Sequence, residues 1–139
     1  YLDTMRECGL LAGVGTHLPE VVAYCEEHEW NPDFYLTCLY PLGSGRGDGA
    51  IAGGKAVAEV FDDSERDAML QAIRATSRPC FAFKILAAGR KCSSEEDLRA
   101  AFLYALQGIK PTDALIVGMC LQHTDQVAQN ARIVRELCA

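Results

Sequence analysis

Short runs of apolar residues alternate along this chain with longer segments in which apolar residues recur at helical spacing. The short runs do not alternate with polar residues, which is typical of parallel strands covered on both faces. The pattern predicts four strands, which are LLAGVGT (10–16), DFYLTCLY (33–40), PCFAFKIL (79–86) and DALIVGM (113–119). A helical segment follows each of them, so the chain is predicted to contain four consecutive βα units.

Helix-start signals support this division. Pro19 and Glu20 open the first of the four helices, because proline lacks the N–H that a first turn leaves unbonded and a negative charge stabilises the amino end. Ser64 and Asp67 have the spacing of a capping box and predict the start of the second helix. A further short helix, over residues 2–8, precedes the first strand.

The last two helices are predicted to be amphipathic. Ser93 or Ser94 starts the earlier one, and its apolar stripe is Leu98, Ala101, Phe102, Ala105, Leu106 and Ile109. The final helix extends from about Thr124 to Leu137, and its predicted inward face is Val127, Ala131, Val134 and Cys138. Both stripes are expected to pack on a sheet.

Strands that alternate with helices predict right-handed crossovers and a parallel sheet, so the fold class is α/β. Four βα units form either a small doubly wound domain or half of a TIM (β/α)8 barrel. The half barrel is favoured because the opening helix has no strand before it, the chain lacks an initiator Met, and it stops at the end of a helix. We therefore expect residues 1–139 to be a single partial domain, the C-terminal half of a barrel whose N-terminal half precedes it.

Composition narrows the function classes. Half of the 139 residues are hydrophobic and 23% are charged, which is typical of a folded globular chain and not of a disordered one. The net charge of -6 without a basic stripe argues against nucleic acid as a partner. No apolar run approaches the length of a membrane span. The prediction is a soluble, cytoplasmic protein that binds a small molecule.

The seven cysteines form no CxxC pair, and their odd number argues against a disulfide framework. They are predicted to be buried thiols in a reducing cytoplasm. The three histidines show no HxxxH spacing, so no metal site is expected.

In parallel α/β folds, ligands bind at the carboxyl ends of the strands. Lys84 is the sharpest candidate there, because a charged amine within the apolar run FAFKILAAG needs a polar cavity or a partner. It is predicted to act as a Schiff-base amine or an anion contact, with a structural lysine as the alternative. His17 follows a glycine-rich strand end and is predicted to exchange protons near neutral pH.

Two further features draw attention. The segment GSGRGDGAIAGGK (43–55) contains the GxxxxGK pattern of a phosphate-binding loop. Ala56 stands where such a loop has the Ser or Thr that holds magnesium. The segment is therefore interpreted as a lid over the strand ends and not as a phosphate-binding loop. His123 precedes the final helix, where anions bind favourably.

Four segments, in order, resemble strands five to eight of aldo/keto reductase-type barrels. AGVGTHLPEVVAYCEE is similar to their fifth strand and the helix after it, DFYLTCLYPL to the sixth strand, CFAFKILAAGR to the seventh, and ALIVGMCLQHTDQVAQNA to the eighth strand with its helix. The resemblance covers nearly the whole chain. It implies an oxidoreductase barrel whose carboxyl-terminal half holds NAD or NADP.

The resemblance also implies a set of cofactor contacts, which are Gly15, Thr16, Tyr40, Lys84, Gly118, Gln126 and Asn130. Gly15 and Thr16 stand where the family commonly has Ser-Asn, Thr37 where it has Gln, and Gln126 where many members have Arg. The catalytic Asp, Tyr, Lys and His of the family lie on earlier strands, so this segment alone is expected to be inactive.

Two other functions remain open at this point. A lyase or aldolase-like barrel would use Lys84 as a Schiff-base nucleophile. A barrel that kept its packing and lost its chemistry would serve as a binding module, which the departures from the family pattern suggest.

Overall fold

The structure, a computed structural model, describes residues 1–40, 51–52, 55–56, 61–122 and 124–139. The helices in these residues are α1 (Leu2–Glu7), α2 (Pro19–Glu27), α3 (Arg66–Ala75), α4 (Glu95–Gly108) and α5 (Gln126–Leu137). The strands are β1 (Gly13–Thr16), β2 (Phe34–Cys38), β3 (Ile51–Ala52), β4 (Lys55–Ala56), β5 (Cys80–Phe83) and β6 (Ala114–Ile116). Two 3-10 turns cover Asp63–Glu65 and Ala87–Gly89.

A four-stranded sheet of order β1-β2-β5-β6 organises the fold, and every pair in it is parallel. The predicted α/β class and the alternating βα units are confirmed. Strand order follows chain order, so these four strands contain no reversal of the kind that marks a doubly wound sheet. The short strands β3 and β4 pair with each other, antiparallel, inside the glycine-rich region.

The helices cover one face of this sheet. Tyr35 of β2 donates its hydroxyl hydrogen to Glu26 of α2, with 2.6 Å between the oxygens. Tyr35 and the strand residues on its side, Cys80 and Ala82, belong to one buried cluster to which α2, α3, α4 and α5 all contribute. The helical members of the cluster are Val22, Cys25, Met69, Leu70, Ile73, Leu98, Ala101, Phe102, Ala105 and Ile133.

The opposite face of the sheet is apolar and only partly buried in the described structure. Phe34 and Phe81 meet edge to face there, with ring centroids 5.5 Å apart. The Phe34 ring lies so close to Gly13 that an added Cβ would sit 2.3 Å from it, so β1 requires glycine at this point. Ile116 of β6 shares this face by its register with Phe83 and is 44% exposed.

Aspartates at the amino ends of β2 and β6 tie neighbouring strands together. Asp33 accepts a hydrogen bond from the backbone N–H of Ala12 at 2.7 Å. Asp113, whose side chain is fully buried, accepts from the N–H of Cys80 at 2.9 Å and from the Lys110 ammonium at 3.0 Å. The same arrangement therefore recurs at both outer strand pairs of the sheet.

Helix starts agree with the sequence in one case and differ in another. Ser94 caps α4, because its hydroxyl accepts from the N–H of Asp97 at 3.1 Å as predicted. The capping box expected from Ser64 and Asp67 is wrong. A 3-10 turn precedes α3, and Asp62 accepts from both the N–H and the hydroxyl of Ser64 instead.

The predicted inward face of the last helix is wrong at three of its four residues. Val127, Ala131 and Cys138 are exposed, whereas Val134 packs against the core as predicted. The buried residues of α5 are Asn130 and Ile133. The helix is therefore rotated by about one residue from the predicted orientation. Two neighbouring rows of residues along this helix could face the sheet. The row that packs against the sheet is the one that contains Asn130.

The cysteine prediction holds for only three of the seven. Cys25, Cys38 and Cys80 are buried, whereas Cys8, Cys92, Cys120 and Cys138 are exposed free thiols. The exposed ones lie in turns and helix ends, where the local apolar pattern does not decide burial. Within the described residues, no helix combines the length and the apolar character that crossing a bilayer requires.

Candidate functional site

A cavity of about 860 Å³ lies at the carboxyl ends of β5 and β6. Its walls are the loop after β5, the residues that lead into α4, the segment after β6 and the first turns of α5. Its volume falls within the range of small-molecule pockets, roughly 300–1,000 Å³. This is the edge of the sheet where the sequence predicted a ligand site.

Four of the predicted site residues line this cavity, and they are Lys84, Gly118, Gln126 and Asn130. Gln126 has a local structural role as well, since its side-chain oxygen accepts from the N–H of Cys120 at 2.7 Å. No atom lies within 4 Å of the position that a Cβ on Gly118 would occupy. The segment after β6 is thus held by Gln126 and leaves open space beside Gly118.

Asn130 is the most distinctive polar group in the cavity. The residue is only 6% exposed and lines the cavity, and no group in the described part of the chain hydrogen-bonds to its amide. The amide is not sealed off from solvent, since among the described side chains only the Thr37 hydroxyl is both inaccessible to solvent and without a partner. Its position in the cavity wall makes a bound ligand a suitable partner.

The loop after β5 has an unusual backbone. Lys84, Ala87 and Ala88 have positive φ angles of 60°, 49° and 52°, and Gly89 follows with 91°. The left-handed region is sterically costly for residues that carry a Cβ, and such residues cluster at functional sites. This strained loop forms one wall of the cavity.

Positive charge collects beside the cavity, although the chain is acidic overall. The Lys84 Nζ lies 5.6 Å from the centre of the Phe61 ring, and the Arg90 guanidinium lies 4.3 Å from it. Cation–π contacts at such distances are attractive, so the Phe61 ring helps to hold both cations beside the cavity.

Tyr40 is buried beside this cluster and does not line the cavity. Its hydroxyl donates to Asp63 at 2.9 Å, and its ring meets Phe61 edge to face. Burial, followed by the Asp63 carboxylate, raises the pKa of Tyr40. Burial also raises the pKa of Asp63, but the Lys91 and Tyr40 hydrogen bonds and the Arg66 charge outweigh it and hold that pKa below its ordinary value.

The three predicted residues of β1 and its end lie apart from the cavity wall. The Thr16 hydroxyl donates to the carbonyl of Leu18 and accepts from its N–H, so it fixes the turn into α2. Gly15 is exposed on the open side of the sheet. His17 is next to the cavity and does not line it. Its ring packs edge to face against that of Phe83, which does line the cavity, with the ring centroids 5.4 Å apart.

Sequence reasoning missed several residues near this site. Phe61 and Asp63 contact the strained loop, and Cys92 lines the cavity. Lys91 was also missed, although its place beside Arg90, between the predicted strand 79–86 and the next helix, was a usable signal. The contact with Phe61 and Asp63 carries no signal, because these residues are distant in the chain.

Two predicted features lie outside the described residues. They are His123 and the lid segment 43–55, apart from residues 51–52 and 55–56. In the ranges that the structure describes, no three side chains of His, Cys, Asp or Glu are grouped so as to hold a metal ion.

No protein-family model, curated protein or solved structure matches this chain. Its function is therefore argued from the geometry.

Proposed function

We propose that this chain is the C-terminal half of a (β/α)8 barrel of aldo/keto reductase type, and that its cavity binds a nicotinamide nucleotide. The strand order, which follows chain order, supports the barrel, as does the placement of all four following helices on one face. The other face is apolar and open, as the inner face of an incomplete barrel would be. The partner required is the N-terminal half of the barrel.

The observation that carries the binding proposal is the amide of Asn130, which lines a cavity shared with Lys84 and has no hydrogen-bond partner among the described residues. An amide offers both donors and an acceptor, and the lysine offers a positive charge. A nucleotide presents phosphate oxygens and polar base edges, which match these two groups. Gly118 and Gln126 complete the set of proposed contacts, and the cofactor would supply hydride chemistry that the chain itself lacks.

Fluorescence titration of NADH and NADPH tests this proposal. We expect binding by the protein, and a loss of affinity of about tenfold in Asn130→Leu, which removes the amide and keeps the bulk. Gln107→Leu is the matched control, because it removes an exposed amide on α4 outside the cavity. Absence of binding at millimolar concentrations of both nucleotides would refute the proposal.

We propose further that the chain has no reductase activity of its own, since the family's catalytic set belongs to the other half of the barrel. An assay of NAD(P)H-dependent carbonyl reduction should show no turnover above the uncatalysed rate. Robust turnover by the 139-residue chain contradicts this proposal. A barrel that lost its chemistry would bind nucleotide and still show no turnover after the halves are joined.

Lys84 supports a second candidate, a Schiff-base enzyme, because it is the lysine among the residues that line the cavity. Borohydride trapping with an aldehyde substrate, followed by mass spectrometry, distinguishes the two. Stable modification at Lys84 supports the lyase, and an unmodified Lys84 leaves the anion-contact role.

A further inference from the structure

The strained loop, residues 84–91, is fastened near both of its ends to the segment that leads into α3. Two cations of the loop contact the Phe61 ring, with the Lys84 Nζ 5.6 Å and the Arg90 Cζ 4.3 Å from its centre. Lys91 forms an ion pair with Asp63. The contacts join residues that are 23 to 29 positions apart in the chain, so only the folded protein makes them.

These contacts act on the strained part of the loop. The Arg90 guanidinium, which stacks on Phe61, also donates from Nη1 to the carbonyl oxygen of Ala87 at 3.1 Å. Ala87 has a φ of 49° and is followed by Ala88 at 52°. An alanine in this region would relax towards negative φ if nothing held it. The contacts of Arg90 and Lys91 with Phe61 and Asp63 therefore oppose a change of the loop backbone to negative φ. Such a change would move the cavity wall.

Asp63 is itself fixed by other elements. Its carboxylate accepts from the Tyr40 hydroxyl at 2.9 Å and lies 3.4 Å from the Arg66 Nε. Tyr40 follows the end of β2, and Arg66 is the first residue of α3. The loop is consequently attached to a residue that also contacts the end of β2 and the start of α3.

We propose that Phe61 and Asp63 are positioning residues, which hold loop 84–91 in its strained conformation and thereby set the shape of the ligand cavity. They act through Arg90 and Lys91 and do not line the cavity themselves. This positioning role concerns the cavity that we propose to bind a nucleotide. Only its predicted effect on ligand affinity rests on that proposed function. The loop conformation can be measured without a ligand.

Hydrogen exchange of the loop amides is the direct test. The N–H groups of Ala87, Gly89, Arg90 and Lys91 bond to carbonyls within the loop, so their exchange reports its opening. We expect Asp63→Asn and Arg90→Ala each to accelerate this exchange about fivefold. Asp63→Asn weakens the ion pair with Lys91, and Arg90→Ala removes both the contact with the Phe61 ring and the hydrogen bond to the Ala87 carbonyl. Arg90 is exposed, so its replacement leaves the core intact.

Asp67→Asn is the matched control. Asp67 lies in the first turn of α3, directly after the 3-10 turn that contains Asp63, and it accepts a hydrogen bond from Tyr104 and not from the loop. Its replacement should leave loop exchange unchanged. Equal acceleration in this control, or no acceleration in the two test variants, overturns the proposal.

A rescue variant separates strain from general loosening. Ala88 is exposed and left-handed, so Ala88→Gly removes the steric cost of its Cβ without disturbing packing. In the Asp63→Asn background it should return loop exchange to near the wild-type rate. Continued fast exchange in the double variant overturns the proposal, because strain is then not what Asp63 opposes.

NADPH titration connects the loop to the cavity. Weaker NADPH binding by Asp63→Asn than by Asp67→Asn supports the positioning role, and equal affinity in the two overturns it. If no variant binds NADPH while the exchange results hold, the positioning of the loop is supported and the nucleotide proposal fails.

Discussion

Thr16 and Thr37 face each other across β1 and β2, and both were expected at the ligand face. In the structure their hydroxyl groups differ in hydrogen bonding. Thr16 exchanges two hydrogen bonds with Leu18, while the Thr37 hydroxyl is fully buried with no partner among the described residues. By strand alternation, Thr37 points to the same side as Tyr35, which is the helix side. It therefore does not face the open side of the sheet.

Valine substitutions at these two positions should have opposite effects. Thr37→Val replaces an unsatisfied hydroxyl with a methyl of equal size, so the free energy of unfolding should rise by about 1 kcal/mol. Thr16→Val removes a satisfied hydroxyl and should lower it by about 1 kcal/mol. Urea denaturation measures both, and a loss of stability in Thr37→Val would show that its hydroxyl has a partner.

At the scale of elements, α5 shows where sequence patterns fail. Val127 and Ala131 form one possible apolar row, and Asn130 with Ile133 forms the neighbouring row. Hydropathy selects the first row because asparagine is usually exposed. The structure buries the second, since it turns Asn130 into the cavity and places Ile133 in the core. The observed rotation of α5 therefore buries an asparagine, which periodicity alone does not predict.

Replacing the two strand-end aspartates should lower the stability of the protein by different amounts. Asp113→Ala leaves the N–H of Cys80 and the Lys110 ammonium without their buried partner, so the free energy of unfolding should fall by about 3 kcal/mol. Asp33→Ala should cost less, because the Asp33 side chain is 28% exposed and water can replace it. Equal losses in the two variants, measured by chemical denaturation, would contradict this account.

At the scale of the whole molecule, stability should decline in acid. The N–H of Ala12 lowers the pKa of Asp33, and a hydrogen bond from Arg132 lowers that of Glu95; the pKa of Asp63 is lowered as well. A carboxyl group with a depressed pKa contributes stability above its unfolded pKa, about 4, and loses it as pH falls through the folded value. A urea midpoint that stays constant from pH 7 to about pH 3 contradicts this prediction.

Stability should also decline in alkali. Burial raises the pKa of Cys80 to about 11 and that of Tyr104 to about 12. A raised pKa contributes stability below the unfolded value and loses it as pH rises through the folded value. Thermal unfolding between pH 8 and about pH 11 measures this decline, and Cys80→Val should make it shallower.

The open side of the sheet predicts self-association. β1 and β6 are the edge strands of the described sheet, and the apolar face between them includes Phe81 and Ile116. The isolated chain should therefore dimerise or aggregate in light scattering. A stable, monodisperse monomer would count against the half barrel.

A pair of lysine substitutions localises this association. Ile116→Lys places a charge on the open face at an edge strand and should reduce association several-fold without unfolding the chain. Val127→Lys is the control, because Val127 is 50% exposed on α5, on the helical layer. An equal effect of both variants would show that net charge, and not the open face, governs association.

The sequence by itself determined the α/β class, the four βα units, the Ser94 cap and the placement of Lys84 and Gly118 at strand ends. Each of these depends on local spacing or on the common direction of parallel strands, both of which can be read within a few residues. Only the tertiary structure decided the rotation of α5, the burial of three cysteines and not seven, and the attachment of loop 84–91 to Phe61 and Asp63. These features depend on contacts between residues that are distant in the chain. Local spacing does not determine such contacts, because they arise from the packing of one element against another.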